Sequence, residues 1–217
     1  MNSLHDGSGA AFVVVSEHSA WAAAQAAITT LIAMMQHHDP ATAAHMERVG
    51  ALAARIAEQL GCNPALCDQI ALGGRLHDIG KLAIAPSVLH SPASLPPLEQ
   101  HRMQRHPVIG EHLTSILPLP PLVVSIIRRH HERLDGSGYP DGLTAADSDL
   151  PARIVAVADA FDAMTNPRPY CPLRSPQEAL AVLHAEAGIV WDAEVVAALA
   201  TVLGVAVEPG ALSARAA

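Results

Sequence analysis

Apolar positions along this chain recur at helical spacing, and the breaks between the runs carry helix-start signals rather than strand turns. Residues 20–37 form the first such run. Asp39-Pro40 supplies an N-cap with proline in the first turn, which predicts a helix reaching about Leu60 and stopping at Gly61. Asn63-Pro64 repeats the signal and predicts a helix to His77. Pro86 and the segment Ser91 to Pro97 mark a loop. A helix over about 97–105 follows, and His106-Pro107 bends the chain into another. Pro118, Pro120 and Pro121 precede a helix at 121–131. Residues 132–150 are rich in Gly, Asp and Ser, with turns at Asp135-Gly136 and Asp141-Gly142; a long loop in a compact domain is a functional candidate. Pro151 opens a helix over 151–164, which Asn166, Pro167 and Pro169 break. Ser175-Pro176-Gln177-Glu178 is a capping box, and a last helix covers about 192–203. Residues 1–19 read as a loose leader in which Phe12 to Val15 is a short strand or a packing segment, and the tail from Glu208 reads as frayed. No alternating strand pattern and no internal repeat is present. The expected fold is all-α, a single helical bundle of about seven to nine helices.

Composition sharpens this. The 217 residues are 50% apolar and 16% charged, which excludes a disordered chain. Aromatics are only 3%, so the core is expected to be aliphatic and Ala-rich. The formal charge of −8 argues against nucleic-acid binding. A small anionic ligand then needs local positive charge, such as metal ions. There are 13 histidines, and Lys81 is the only lysine. Cys62, Cys67 and Cys171 form no CxxC pair and read as reduced thiols of a cytosolic protein. The start MNSLHDGSGA has no basic n-region, and the apolar stretch Trp21 to Met35 is short and interrupted by Gln25, Thr29 and Thr30. The expected location is cytoplasmic, with no membrane and no nucleic-acid partner.

The informative feature is where metal-capable side chains fall. His77-Asp78 sits in apolar context, His130-His131 ends an apolar helix, and Asp159 interrupts the run Ile154 to Ala158. His45 lies on an otherwise apolar-periodic helix, and His106 at a helix junction. Singly, each has a plain structural reading: a core histidine, a hydrogen-bonded His-Asp pair, imidazoles favoured by a helix C-terminal dipole, an internal cap. Jointly they suffice for two divalent ions with one shared carboxylate. Imidazole and carboxylate without thiolate suits Fe, Mn or Zn.

His77-Asp78-Ile79-Gly80-Lys81 and the run His130-His131-Glu132-Arg133-Leu134-Asp135-Gly136-Ser137-Gly138-Tyr139-Pro140 resemble the HDIGK and HHExxDGxGYP signatures. These mark the HD-GYP branch of the HD metal-dependent phosphohydrolase superfamily. Supporting matches occur in the family's order: His45-x-x-Arg48-Val49, His106-Pro107-x-x-Gly110, Arg153-Ile154 through Asp159-x-Phe161-Asp162-Ala163-Met164, and Arg168-Pro169-Tyr170. The resemblance covers roughly 33–203, read as the catalytic domain, with 1–32 as leader and packing helix and 204–217 as tail. It implies a bacterial second-messenger hydrolase, a phosphodiesterase cutting cyclic di-GMP to pGpG and in some members to GMP. The implied metal ligands are His45, His77, Asp78, His106, His130, His131 and Asp159, with Asp78 bridging. The implied cofactors are two divalent ions, Fe or Mn, with Zn, Ni or Mg as purified alternatives. The two cations would neutralise the diester and activate a water. Lys81 is implied beside the scissile phosphate, with Asp78 and Lys81 as the catalytic pair. Arg168 is a candidate phosphate or guanine contact, or else a surface ion pair. Tyr139 stacks on a base or pins its loop. Glu132 is expected to orient a ligand imidazole.

Two departures bear on this expectation. Three-metal members resemble ExxxHxxRV, and here the glutamate position is Ala41, so two metals are expected. Cys171 follows Arg168-Pro169-Tyr170 where many relatives carry Arg or Lys, so another cyclic dinucleotide or nucleotide stays open as substrate. A non-catalytic ligand-sensing or interaction module is the third class, and the complete ligand set argues against it. Contacts to a diguanylate cyclase or regulatory protein, and a homodimer through the stretch Trp21 to Met35, complete the partner expectations.

Overall fold

Several helices in this chain start at a side chain that accepts a backbone N–H bond just ahead of a proline. The computed structural model describes residues 17–91, 94–167 and 173–205. Helix α1 (Glu17–His38) runs unbroken past the position between residues 32 and 33 and ends at Asp39. Asp39 Oδ1 accepts from the amides of Ala41 and Thr42 at 3.0 and 3.2 Å, starting α2 (Pro40–Gln59). Asn63 starts α3 (Pro64–Leu76) through the Leu66 amide at 2.9 Å. A 3₁₀ turn, Ile79–Ala83, leads into α4 (Pro86–Leu89), α5 (Pro97–Met103), α6 (His106–Ser115) and α7 (Pro121–Arg129). Asp149 caps α8 (Leu150–Thr165) through the Ala152 amide at 3.0 Å. The expected capping box of Ser175 and Glu178 opens α9 (Pro176–Ala185), and α10 (Ala193–Leu203) stops at Gly204 in the left-handed region, φ 65°. The described residues contain no strand, only isolated bridges Asp135–Thr144 and Ala187–Trp191. The all-α expectation holds.

The core is aliphatic, as the aromatic shortage requires. Val49 and Ile56 of α2, Ile70 of α3, Ile154 and Val157 of α8, Leu183 of α9 and Leu199 of α10 form one buried cluster, with Phe161 the aromatic among its buried members. Helix α8 runs through its middle: nine of its residues are buried, including Asp159 and Asp162. A second cluster joins Ile28 of α1 to Leu76, Val123 and Ile127, and a third joins Met35, Ala43, Met46 and Ile79. Helix α1 therefore packs on α2 and on the 3₁₀ turn. These clusters bring the C-terminal ends of α3 and α7 to the second turn of α2 and the middle of α8.

One close approach completes the arrangement. The 3₁₀ turn lies against the start of α6, and a Cβ on Gly80 would sit 1.9 Å from the His106 carbonyl oxygen and 2.6 Å from the Gly110 nitrogen. Only glycine allows this contact, which sets Asp78 beside His106. Among the described residues no helix is long and apolar enough to cross a membrane. Cys62 and Cys67 are free thiols, and Cys171 lies outside the described residues.

Candidate metal centre

Helix C-termini leave carbonyl oxygens without partners, and three histidines here take them up. His77 follows α3, His130 follows α7, and His106 stands three residues past the end of α5. Each ring nitrogen Nδ1 donates to the carbonyl three residues earlier: Gly74 at 2.6 Å, Ile127 at 2.8 Å and Met103 at 2.8 Å. A carbonyl can only accept, so in the neutral ring the proton is on Nδ1 and the lone pair on Nε2. His45, from the second turn of α2, is held by a carboxylate instead, its Nδ1 lying 2.6 Å from Asp162 Oδ2.

The free edges of these rings converge. Ligand-capable atoms of Asp78, His106, His130 and His131 lie within 4.8 Å of one another, and so do those of His45, His77 and Asp159. Asp78 faces both groups: Oδ1 is 3.1 Å from His106 Nε2, and Oδ2 is 3.4 Å from His77 Nε2 and 3.9 Å from His45 Nε2. Asp159 Oδ1 is 2.9 Å from His45 Nε2, and its Oδ2 is 3.9 Å from His131 Nδ1. Lys81 Nζ donates to Asp78 Oδ2 at 2.6 Å. Histidines 45, 77, 106 and 130 and Asp78 and Asp159 are all buried, and His131 is partly open.

Electrostatics keeps the carboxylates Asp78 and Asp159 charged and the imidazoles of His130 and His131 neutral. Burial pushes the Asp78 carboxyl upward, yet Lys81 and the facing rings of His77 and His106 hold it well below the usual carboxylate range. Burial acts likewise on Asp159, and the His45 hydrogen bond with the His77 and His131 rings overcomes it, again far below the usual range. Burial pushes His130 well down, helped by its imidazole neighbours, and pushes His131 well down against the opposing pull of Asp159. Burial also opposes charge on His45, but its bonds to Asp159 and Asp162 raise it.

Divalent cations fit these residues on two further observations. His77 Nε2 is buried and has no hydrogen-bond partner among the described residues. His106 Nε2 and His130 Nε2 face each other at 3.2 Å although both rings use their Nδ1 proton elsewhere. Two opposed lone pairs repel, and a cation between imidazole nitrogens and carboxylate oxygens removes the conflict.

The loop after α7 folds over the open edge. Tyr139 lies on the His131 ring, centroids 4.7 Å apart and planes 31° apart, a contact that packs the loop against the centre. Its hydroxyl is pushed above the ordinary phenol range, first by burial and then by Asp78 and Asp159. Gly138 permits the fold-back: a Cβ there would meet the Glu132 Cα and the His131 carbonyl at 2.5 Å. Glu132 departs from its expectation. Among the described residues its carboxylate bonds no imidazole; it accepts the amides of Asp141 at 2.7 Å and Leu143 at 2.8 Å, pinning the loop.

All seven expected ligands and Lys81 thus meet at one place. Arg168 lies outside the described residues. Ala41, four residues before His45 on α2, is exposed and carries no donor. Two neighbours were not assigned a task from the sequence, Arg48 and Asp162. The signal was present: Arg48 follows His45 by three residues and Asp162 follows Asp159 by three, a one-turn spacing that shares a helix face.

A family model described as the HD domain matches residues 29–195 of this chain. The chain belongs to the HD domain family. Within the HD domain family its His130–Pro140 run is of the HD-GYP type. Over 174 residues this HD domain is 43% identical to the cyclic di-GMP phosphodiesterase response regulator RpfG of Xanthomonas campestris, covering 79% of this chain and 46% of that protein. Over 142 residues it is 39% identical to a 3'3'-cGAMP-specific phosphodiesterase of Vibrio cholerae, covering 65% of this chain and 33% of that protein. The chain spans less than half the length of either relative. A solved HDG"Y"P protein from Bdellovibrio bacteriovorus shares the fold, with TM-score 0.64 at 22% identity over 86% of this chain and 64% of that one.

Proposed function

We propose that this HD domain hydrolyses cyclic di-GMP as a metal-dependent phosphodiesterase. The observation that carries the reading is Asp78, an anionic buried carboxylate that faces both ligand groups at once. The proposed ligands are His77, His45 and Asp159 on one side, His106, His130 and His131 on the other, and Asp78 between them. The proposed cofactors are two ions, Fe(II) or Mn(II). Bound there, divalent cations would neutralise a phosphodiester and lower the pKa of a coordinated water.

The chain's own residues supply the rest. The imidazole rings are held by hydrogen bonds of the chain itself, with their free nitrogens and two carboxylates aimed at one centre, so the centre is preorganised. Lys81, tied to Asp78, presents the ammonium nearest to a diester seated at the centre and offsets charge that builds on its phosphoryl oxygens. Tyr139 and the Glu132-pinned loop fix His131 at the rim. Arg168 is proposed as a second phosphate or guanine contact. The catalytic unit is proposed as residues 33–203 and the location as cytoplasmic.

The name of the Vibrio cholerae relative favours one further substrate, 3'3'-cGAMP, for the same chemistry. Turnover of both dinucleotides by protein reconstituted with Fe(II) or Mn(II), beside Asp78→Ala, tests the reading. Product from the wild type and none from the variant is expected. Equal product from both would mark a contaminant, and faster cleavage of 3'3'-cGAMP would exchange the proposed substrate.

A further inference from the structure

Arg48 and Asp162 form a hydrogen-bonded polar group directly behind the ligand set. Asp162 is buried on α8, one turn beyond Asp159. Its Oδ1 accepts from Arg48 Nε at 2.8 Å and Asn166 Nδ2 at 2.9 Å. Its Oδ2 accepts from Arg48 Nη2 at 2.8 Å and from the His45 ring at 2.6 Å. The guanidinium therefore grips both oxygens in a planar fork and leaves the carboxylate one orientation.

The other three anchored rings lean on neutral carbonyls of their own chain segment. His45 alone among them leans on an anion brought from another helix. An anion behind an imidazole fixes its plane and strengthens its free nitrogen as a donor. The pairs His45/Arg48 on α2 and Asp159/Asp162 on α8 interlock: one bond of the square orients His45, and His45 Nε2 meets Asp159 at 2.9 Å on the opposite side.

We infer that Arg48 and Asp162 are positioning residues for the His45–His77–Asp159 group, and that their loss weakens the cation at that group while sparing the one at Asp78–His106–His130–His131. The inference rests on the metal-dependent reading above. The competing role is a strut between α2 and α8, which would affect stability and not cation affinity. The Arg48 side chain is 43% exposed, so its replacement leaves the core in place.

Mn(II) titration with bound and free ion counted separately decides between them. The proteins are wild type, Arg48→Met, Arg48→Lys, Asp162→Asn and His45→Ala, each also melted without metal. The wild type should take two ions. Arg48→Met and Asp162→Asn should weaken one of the two by about 10–100-fold, the same ion that His45→Ala removes. Arg48→Lys should restore little, because an ammonium cannot fork. Two unchanged affinities in Arg48→Met and Asp162→Asn would overturn the inference alone, as would equal weakening of both ions. Wild-type protein that takes no Mn(II) would overturn the metal-dependent reading and this inference with it.

Discussion

Replacing Gly80 by alanine adds one methyl group where the 3₁₀ turn meets α6. The new Cβ would stand 1.9 Å from the His106 carbonyl oxygen, 2.6 Å from the Gly110 nitrogen and 2.9 Å from the His106 carbonyl carbon. Real Cβ atoms keep at least 3.0 Å, so the two segments must part by about 1.1 Å. All three neighbours are backbone, and no rotamer change can yield. Overpacking that side chains can absorb costs about 1–3 kcal/mol, so a backbone clash should cost at least about 3 kcal/mol. For a domain of this size that lowers Tm by about 6–12 °C. The movement also separates Asp78 from His106, and a misplacement of about 1 Å lowers turnover by about 10²-fold. Gly61→Ala is the control. Gly61 has φ 78° and nothing within 4 Å of its would-be Cβ, so its loss is limited to about 1–2 kcal/mol of left-handed strain. Thermal melts of both variants, with hydrolysis by each at saturating Mn(II), compare the positions directly. If Gly80→Ala melts no lower than Gly61→Ala and keeps wild-type turnover, the close approach does not hold the centre together.

Three other outcomes are expected. Glu132→Ala removes two bonds to loop amides, costs about 3 kcal/mol, and should deprotect the Asp141 and Leu143 amides in hydrogen exchange; unchanged protection would sink the pinning role. Asp39→Ala should cost about 1 kcal/mol at neutral pH through loss of the α2 cap. Burial pushes the Asp39 carboxyl up, but its bonds from Thr42 and Ala41, with His90 nearby, hold it below the ordinary carboxylate range, so the cap's contribution is present above that range and is lost as pH falls through the folded one. The gap in urea midpoint between wild type and variant should therefore close in acid, and a constant gap would contradict it. Mn(II) at about a hundred times its dissociation constant should stabilise the fold by about 2.7 kcal/mol per ion, read as a Tm rise that a chelator reverses.

Much of this fold is written locally. Asp39, Asn63 and Ser175 each cap a helix through amides two or three residues away, so the sequence alone places those starts. The ligand set was legible because imidazoles and carboxylates in apolar runs are costly without partners. The turn Ile79–Ala83 was not legible: five residues of 3₁₀ geometry carry no periodic signal, and their shape is fixed by contact with α6. Glu132 was misassigned because it adjoins His131 in sequence, while its carboxylate turns toward amides nine and eleven residues on. The Arg48–Asp162 fork shows its spacing in the sequence, but that α2 and α8 cross there follows from the tertiary core.

The three carbonyl-anchored rings have a consequence for how ions are exchanged. The backbone turns that aim His77, His106 and His130 fold with their own helices, so the entropy of orienting these rings is lost during folding and not at loading. One divalent metal can then replace another without re-aiming them. For these three positions, the ion that occupies the protein in a cell is set by supply and by general affinity order more than by steric selection.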